Sequence, residues 1–282
     1  MRIGILTSGG DCPGINATIR GVCKTAINYY GMEVIGIHSG FQGLLTKDVE
    51  SITDKSLSGL LNLGGTMLGT SREKPFKKGG VVSDVDKPSL ILQNIHEIGL
   101  DCVVCIGGNG TQKTAAKFAA MGVNIVSVPK TIDNDLMGTD HTPGFGSAAK
   151  YVAASILEVV HDSLIYQLQS VTIIEIMGRN AGWLTAAAAL ARNEYNVAPD
   201  LIYLPEVVFD KDKFLADIHE VMKRKRCVVI AVSEGIRDQN GHFLDDDSKY
   251  AKKDAFGHVL HSGTGKLLES LVFKEFGCKV RS

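Results

Sequence analysis

The stretch RIGILTSGGDCPGINATIRGVCKTAINYY, residues 2–30, decides how the rest of the chain is read. It opens on an apolar run without polar alternation, the mark of a strand covered on both faces. It then turns through SGGDCPG and continues as a helix, INATIRGVCKTAINYY. A buried strand, a glycine turn and a helix form the opening half of a βαβ unit.

The same alternation recurs along the chain. MEVIGI (32–37), CVVCI (102–106), NIVSVP (124–129), VTIIEIM (171–177), DLIYLP (200–205) and CVVIAVSEG (227–235) are strand-like. Helical spacing marks TQKTAAKFAAMG (111–122), GSAAKYVAASILEVVHDSL (146–164), AGWLTAAAALARNE (181–194) and KDKFLADIHEVMKRK (211–225). The expected class is α/β, with doubly wound, mainly parallel sheets. At 282 residues the chain exceeds one typical domain of about 100–200 residues, so two lobes are expected. TPGFG at 142–146 marks the boundary, giving lobes 1–141 and 142–282.

Composition narrows the function. Hydrophobic residues are 44% and charged residues 22% of the chain, and the formal net charge is −1, which gives no bulk attraction to nucleic acid or anionic lipid. No run of about eighteen unbroken apolar residues occurs, so no membrane partner is expected and a cytoplasmic location is. The six cysteines are expected as free thiols, and the CxxC of Cys102 and Cys105 falls on a strand, where the two point to opposite faces.

In α/β sheets chemistry gathers just beyond the carboxyl ends of strands. Four turns stand there: SGGDCPGINA (8–17), GGTMLGTSRE (64–73), GGNGTQKTA (107–115) and PKTIDNDL (129–136). Glycine lets backbone N–H groups approach an anion, and a following helix adds its dipole, so these turns point to phosphate. No Walker motif, GxGxxG or HExxH is present, and DNDLMG lacks calcium ligands at Met137 and Gly144. KRKR at 223–226 reads as cations at a helix end, the triplet Asp245 to Asp247 as solvated loop, and Trp183 as packing. His258 and His261 share a helical face without a third ligand, and Arg20 and Lys24 lie one turn apart on the first helix, placed for an effector phosphate or for solvent.

SGGDCPGINA, GGTMLGTSR, GGNGT, PKTIDNDL, IMGRNAGW and SEG, in this order, resemble the phosphofructokinase family. That resemblance implies two doubly wound lobes with an active site in the cleft between them, a phosphoryl-donor lobe followed by a sugar-phosphate lobe. It also implies assembly as a homodimer or homotetramer. The reaction implied is transfer of a phosphoryl group to the 1-hydroxyl of fructose 6-phosphate with magnesium present. Asp133 is then the base, Thr131 touches the moving phosphoryl group, and Arg72 and Arg179 clamp it. Met177, Gly178, Glu234 and Arg281 meet the sugar phosphate, with Asp135 beside the metal. Gly10, Phe41, Lys77, Asn109, Gly110, Thr111 and Lys130 fall at donor positions, Asn109 also as a metal ligand.

Several residues depart from the family pattern. Asn109 replaces the usual aspartate and brings an uncharged oxygen to magnesium. Gly110 matches members that use ATP, whereas Lys130 matches members that use pyrophosphate. An aspartate at 110 would oppose the α-phosphate by bulk and charge, so its absence makes ATP the expected donor, with pyrophosphate the alternative. Ser170 stands where many members carry a sugar-phosphate arginine, and family chains continue beyond the position of Ser282, so the second lobe is expected to be incomplete. A non-catalytic regulatory subunit is the rival outside catalysis. NAD kinases and lipid kinases, which share the GGDGT-like turn, are the rival within enzymology and would not require TIDND or MGR.

Overall fold

The computed structural model describes residues 1–77, 86–165, 167–244 and 263–282. Asp245 to Asp247, His258 and His261 lie outside the described residues. The chain divides into two compact units, Met1–Ile132 with Leu136–Gly146, and Asp133–Asp135 with Ser147–Ser282.

The first unit contains β1 (Arg2–Ser8), α1 (Ile15–Tyr30), β2 (Glu33–Ile37), α2 (Phe41–Thr46) and β3 (Val49–Ile52). It continues with α3 (Lys87–Ile98), β4 (Cys102–Gly107), α4 (Asn109–Ala120) and β5 (Ile125–Pro129). Its five-stranded sheet runs β3-β2-β1-β4-β5, all parallel except for the β2–β3 pair. Alternate residues of each strand enter two separate cores. Ile3, Ile5, Cys102, Val104 and Ile106 meet Ile15, Ile19 and Cys23 of α1 on one face. Leu6, Val103 and Cys105 meet Leu44, Ile91 and Phe118 on the other, so the sheet is wound on both sides. The two cysteines of CxxC therefore pack into different cores, and burial pushes the Cys105 thiol up to about 12.

The chain passes into the second unit through α5 (Phe145–Leu164), followed by β6 (Ser170–Ile176), α6 (Trp183–Ala187), β7 (Leu201–Tyr203) and α7 (Lys211–Met222). β8 (Cys227–Ser233), α8 (Thr264–Phe276) and β9 (Lys279–Arg281) complete it. Its sheet is wholly parallel, in the order β7-β8-β6-β9. Phe214 and Ile218 of α7 and Leu268 and Val272 of α8 cover it.

Two expectations need correction, and several elements add to those expected. The helix read over 181–194 stops at Ala187 and tightens into a 3₁₀ turn, Ala188–Ala191. The Asn196 amide donates to the carbonyl of Ala191, the last residue of that turn, and to the carbonyl of Ala198 in the loop beyond it. Trp183 is 56% exposed at the start of α6 and is not a packing residue. The strand β3 was not expected, because VESI is short and has only one fully buried side chain. α2, α3, α8 and β9 also lie outside the elements read from periodicity.

Candidate active site

In the first unit the topological switch falls between β1 and β4, where successive connections leave on opposite faces of the sheet. The loops beyond those strand ends are laced together. Gly9 N–H donates to Ser71 O (3.0 Å), and the hydroxyls of Thr7 and Thr70 donate to the carbonyls of Gly69 and Gly9 (both 2.6 Å). The Thr111 hydroxyl donates to Ser8 O (3.3 Å), and Lys130 N–H donates to Gly107 O (3.0 Å). Arg72 is exposed beside the first turn, its Nη2 4.0 Å from where a Cβ on Gly10 would stand.

α4 starts at Asn109 without a side-chain cap, so no capping side chain takes the backbone N–H groups of its first turn, and the helix dipole makes that end attractive to an anion. Asn109 and Gly110 are exposed there and Thr111 is buried. Gly110 needs no glycine for its own fold, since an added Cβ would meet nothing within 4 Å. Glycine costs about 1 kcal/mol relative to alanine in a helix interior, and Gly110, in the first turn, gains the helix nothing. The space it leaves is open.

Two donor-side residues are placed differently from expectation. Lys130 is buried, and its ammonium donates to the carbonyl oxygen of Gly10, tethering the first turn to the end of β5. Phe41 is 1% exposed and stacks on Phe118 with centroids 5.8 Å apart, so its ring is core and presents no face to a nucleotide. Lys77 is exposed. Lys24 is paired with Asp54 at 2.8 Å, which leaves the Arg20–Lys24 face less free for an effector than its spacing implies.

Among the described residues, the second unit gathers Asp133, Asp135 and Glu234 with the Arg179 guanidinium. β6 and β8 are neighbours in register, Ile176 opposite Ser233, so the turns after them, Met177–Arg179 and Glu234–Gly235, emerge together. Glu234 N–H donates to Ile176 O (2.9 Å), and its carboxylate accepts from Gly178 N–H (3.3 Å) with Arg179 Nε at 3.9 Å. The glycines here are obligatory. Gly178 has φ 131°, and a Cβ on Gly235 would lie 2.2 Å from Arg179 O. Met177 is 60% exposed beside them.

Asp133–Asp135 belongs to this same unit. Asn134 between the two aspartates is left-handed (φ 55°), a conformation asparagine tolerates better than most residues. Burial, then the neighbouring Asp135 and Glu234 carboxylates, push the Asp133 carboxyl up to about 6, against the opposing pull of Arg179. Such a group is ionised near neutrality yet avid for a proton, as a general base must be. Asp140 lies outside this group, in the first unit. Thr131 is held through its carbonyl, which accepts from the Thr142 hydroxyl (2.6 Å).

The family model for phosphofructokinase matches residues 2–282. The chain belongs to the phosphofructokinase family. It is 60% identical over 274 residues to ATP-dependent 6-phosphofructokinase 3 of Bacteroides thetaiotaomicron, covering 94% of this chain and 80% of that one. It is 38% identical over 283 residues to pyrophosphate–fructose 6-phosphate 1-phosphotransferase of Dictyoglomus thermophilum, covering 100% of this chain and 77% of that one. The crystal structure of a pyrophosphate-dependent phosphofructokinase from Marinobacter aquaeolei superposes with TM-score 0.80 at 28% identity, over 99% of this chain and 66% of that one.

Within this phosphofructokinase chain, Ser170 is the buried first residue of β6, and Arg281 on β9 bonds Asp162 at 2.7 Å. Residue-type reasoning missed Ser233, whose hydroxyl donates to Gly178 O (2.6 Å) and accepts from Gly235 N–H (3.0 Å), fastening the two turns to each other. Its only signal was a hydroxyl at a strand end. Among the described residues no three His, Cys, Asp or Glu gather to hold a metal. Asn109 in the first unit is exposed, and so is Asp135 in the second; each side chain carries an oxygen of the kind magnesium takes.

Proposed function

We propose that the protein is a 6-phosphofructokinase that transfers the γ-phosphoryl group of ATP to the 1-hydroxyl of fructose 6-phosphate. The observation that carries this reading is the Asp133 carboxyl, pushed up to about 6 among Asp135, Glu234 and Arg179. Asp133 takes the proton of the 1-hydroxyl as its oxygen bonds to the γ-phosphorus, and the bond from that phosphorus to the bridging oxygen breaks to release ADP. Arg72, Arg179 and Thr131 balance the charge on the migrating group. Met177, Gly178, Glu234 and Arg281 hold the sugar phosphate. Gly10, Asn109, Gly110 and Thr111 receive the donor at the first turn of α4. Magnesium, assigned to Asn109 and Asp135, neutralises phosphate oxygens when bound.

ATP is favoured over pyrophosphate by the open space at Gly110, whereas the Lys130 ammonium, which donates to Gly10 O, suits either donor. The named relatives include users of each donor, and the more similar one is named for ATP. The first unit is assigned to the donor and the second to the sugar phosphate. A cytoplasmic setting agrees with the free thiols and with the absence, among the described residues, of a helix able to cross a membrane. Self-association as a dimer or tetramer is part of the same reading. The test is steady-state phosphorylation of fructose 6-phosphate with each donor. Turnover with ATP well above that with pyrophosphate is expected, the reverse overturns the donor assignment, and none with either overturns catalysis.

A further inference from the structure

Glu73 directly follows Arg72, and its carboxylate accepts from the Lys87 ammonium at 2.6 Å, with both side chains nearly sealed from solvent, 8% and 3% exposed. Lys87 is the first residue of α3, where the helix dipole opposes a cation. Burial opposes it a second time, and a buried ion pair gains little stability over an apolar pair of the same shape. The sequence therefore keeps a charge where two effects disfavour it. Stability alone does not account for it.

The surroundings give it a mechanical use. Lys87 projects from a fixed post: Ile91, one turn on, is 0% exposed, and the Asn94 amide donates to the carbonyls of Leu44 and Leu45. On the other side of Arg72, the Ser71 hydroxyl donates to Ser39 O (2.6 Å), and Ser71 O accepts from Gly9 N–H (3.0 Å). Arg72 is thus exposed between two backbone positions that are each clamped to a different part of the unit. Fixing both flanks removes backbone freedom that the guanidinium would otherwise have to lose in the transition state.

We propose that the buried Glu73–Lys87 ion pair is a positioning device for Arg72, setting the guanidinium for the migrating phosphoryl group. The inference rests on the role given to Arg72 above. Arg72→Ala, Glu73→Met with Lys87→Met, and the three together are compared in the full chain with ATP and fructose 6-phosphate. The charge-free pair is expected to keep the unfolding midpoint, lower kcat about tenfold or more, and leave KM for fructose 6-phosphate within about twofold. On the Arg72→Ala background the same pair change is expected to cost no further turnover, because nothing remains to be positioned; a merely structural role would lower kcat again.

Unchanged kcat in the charge-free pair, or a full additional loss in the triple variant, overturns the proposal while leaving Arg72 its role. Unchanged kcat in Arg72→Ala overturns both. Should the charge-free pair not fold, Glu73→Asp keeps both charges and shortens the arm by one methylene. It carries the same expectations, lower kcat at constant KM and no further loss without Arg72, and the same refutations.

Discussion

Replacing Asp133 by asparagine should make the protein more stable and nearly inactive, and the two effects share one cause. Burial beside Asp135 and Glu234 raises this carboxyl from an ordinary 3.8 to about 6, so ionising it costs more in the folded chain than in the unfolded one. At about 1.36 kcal/mol per pH unit the difference is about 3 kcal/mol, and partial solvent contact brings the expectation to about 1–3 kcal/mol. The sign follows from proton counts. Between pH 3.8 and about 6 the folded state holds the proton that the unfolded state has released, so stability falls as pH rises through that window. Above it the cost is constant, and below 3.8 it vanishes.

Asparagine keeps the shape and cannot ionise. Urea unfolding at pH 8 should therefore show the variant ahead by about 1–3 kcal/mol, with roughly half that advantage left at pH 5. Turnover should drop by about 10²–10⁴, the usual contribution of a general base, with KM for fructose 6-phosphate little changed. In the parent protein kcat/KM should fall as pH drops through about 6, because the base must be unprotonated. A variant no more stable than the parent at pH 8 refutes the burial and like-charge account. Turnover within tenfold of the parent refutes the base itself.

Other substitutions test other parts of the site. Arg179→Ala removes a cation that pulls the Asp133 carboxyl downward, so the acid limb of kcat/KM should move to higher pH while turnover falls about 10²-fold or more; a pH–rate profile reads both. Gly110→Asp should fold normally, since a Cβ meets nothing within 4 Å and an acidic residue suits a helix start, yet raise KM for ATP at least about tenfold by repelling the α-phosphate. Pyrophosphate turnover, measured alongside, should not suffer. Gly235→Ala would set a methyl 2.2 Å from Arg179 O, and the forced backbone shift should cost about 1–3 kcal/mol in urea unfolding and lower turnover with it.

The strands and helices that carry the site were legible because burial on two faces leaves continuous apolar runs, as in β1, β4, β6 and β8, and one buried helix face leaves the spacing of Ile15, Ile19 and Cys23. What was hidden depends on partners far along the chain. Asn196 caps the 3₁₀ turn that follows the short helix from outside its periodic stretch, and no spacing rule joins Glu73 to Lys87 across fourteen positions. Ring burial at Phe41 depends on Phe118, 77 positions later by their numbers. Motifs name residues; contacts decide what each side chain is free to do.

Lys130 shows how that difference bears on function. From its place before TIDND it stood either as a solvated loop lysine or as a ligand for pyrophosphate, yet its ammonium is buried and donates to Gly10 O. A cation used to tether the donor turn from within still places positive charge beneath that turn, which suits any phosphate and does not by itself select one. The selection then falls to Gly110. Its missing side chain serves neither packing nor an unusual φ, and it gains the helix nothing. A glycine that gains the fold nothing and leaves open space at an anion-seeking helix start is explained by a donor with a further group to accommodate beyond two phosphates, which a nucleoside triphosphate has and pyrophosphate lacks.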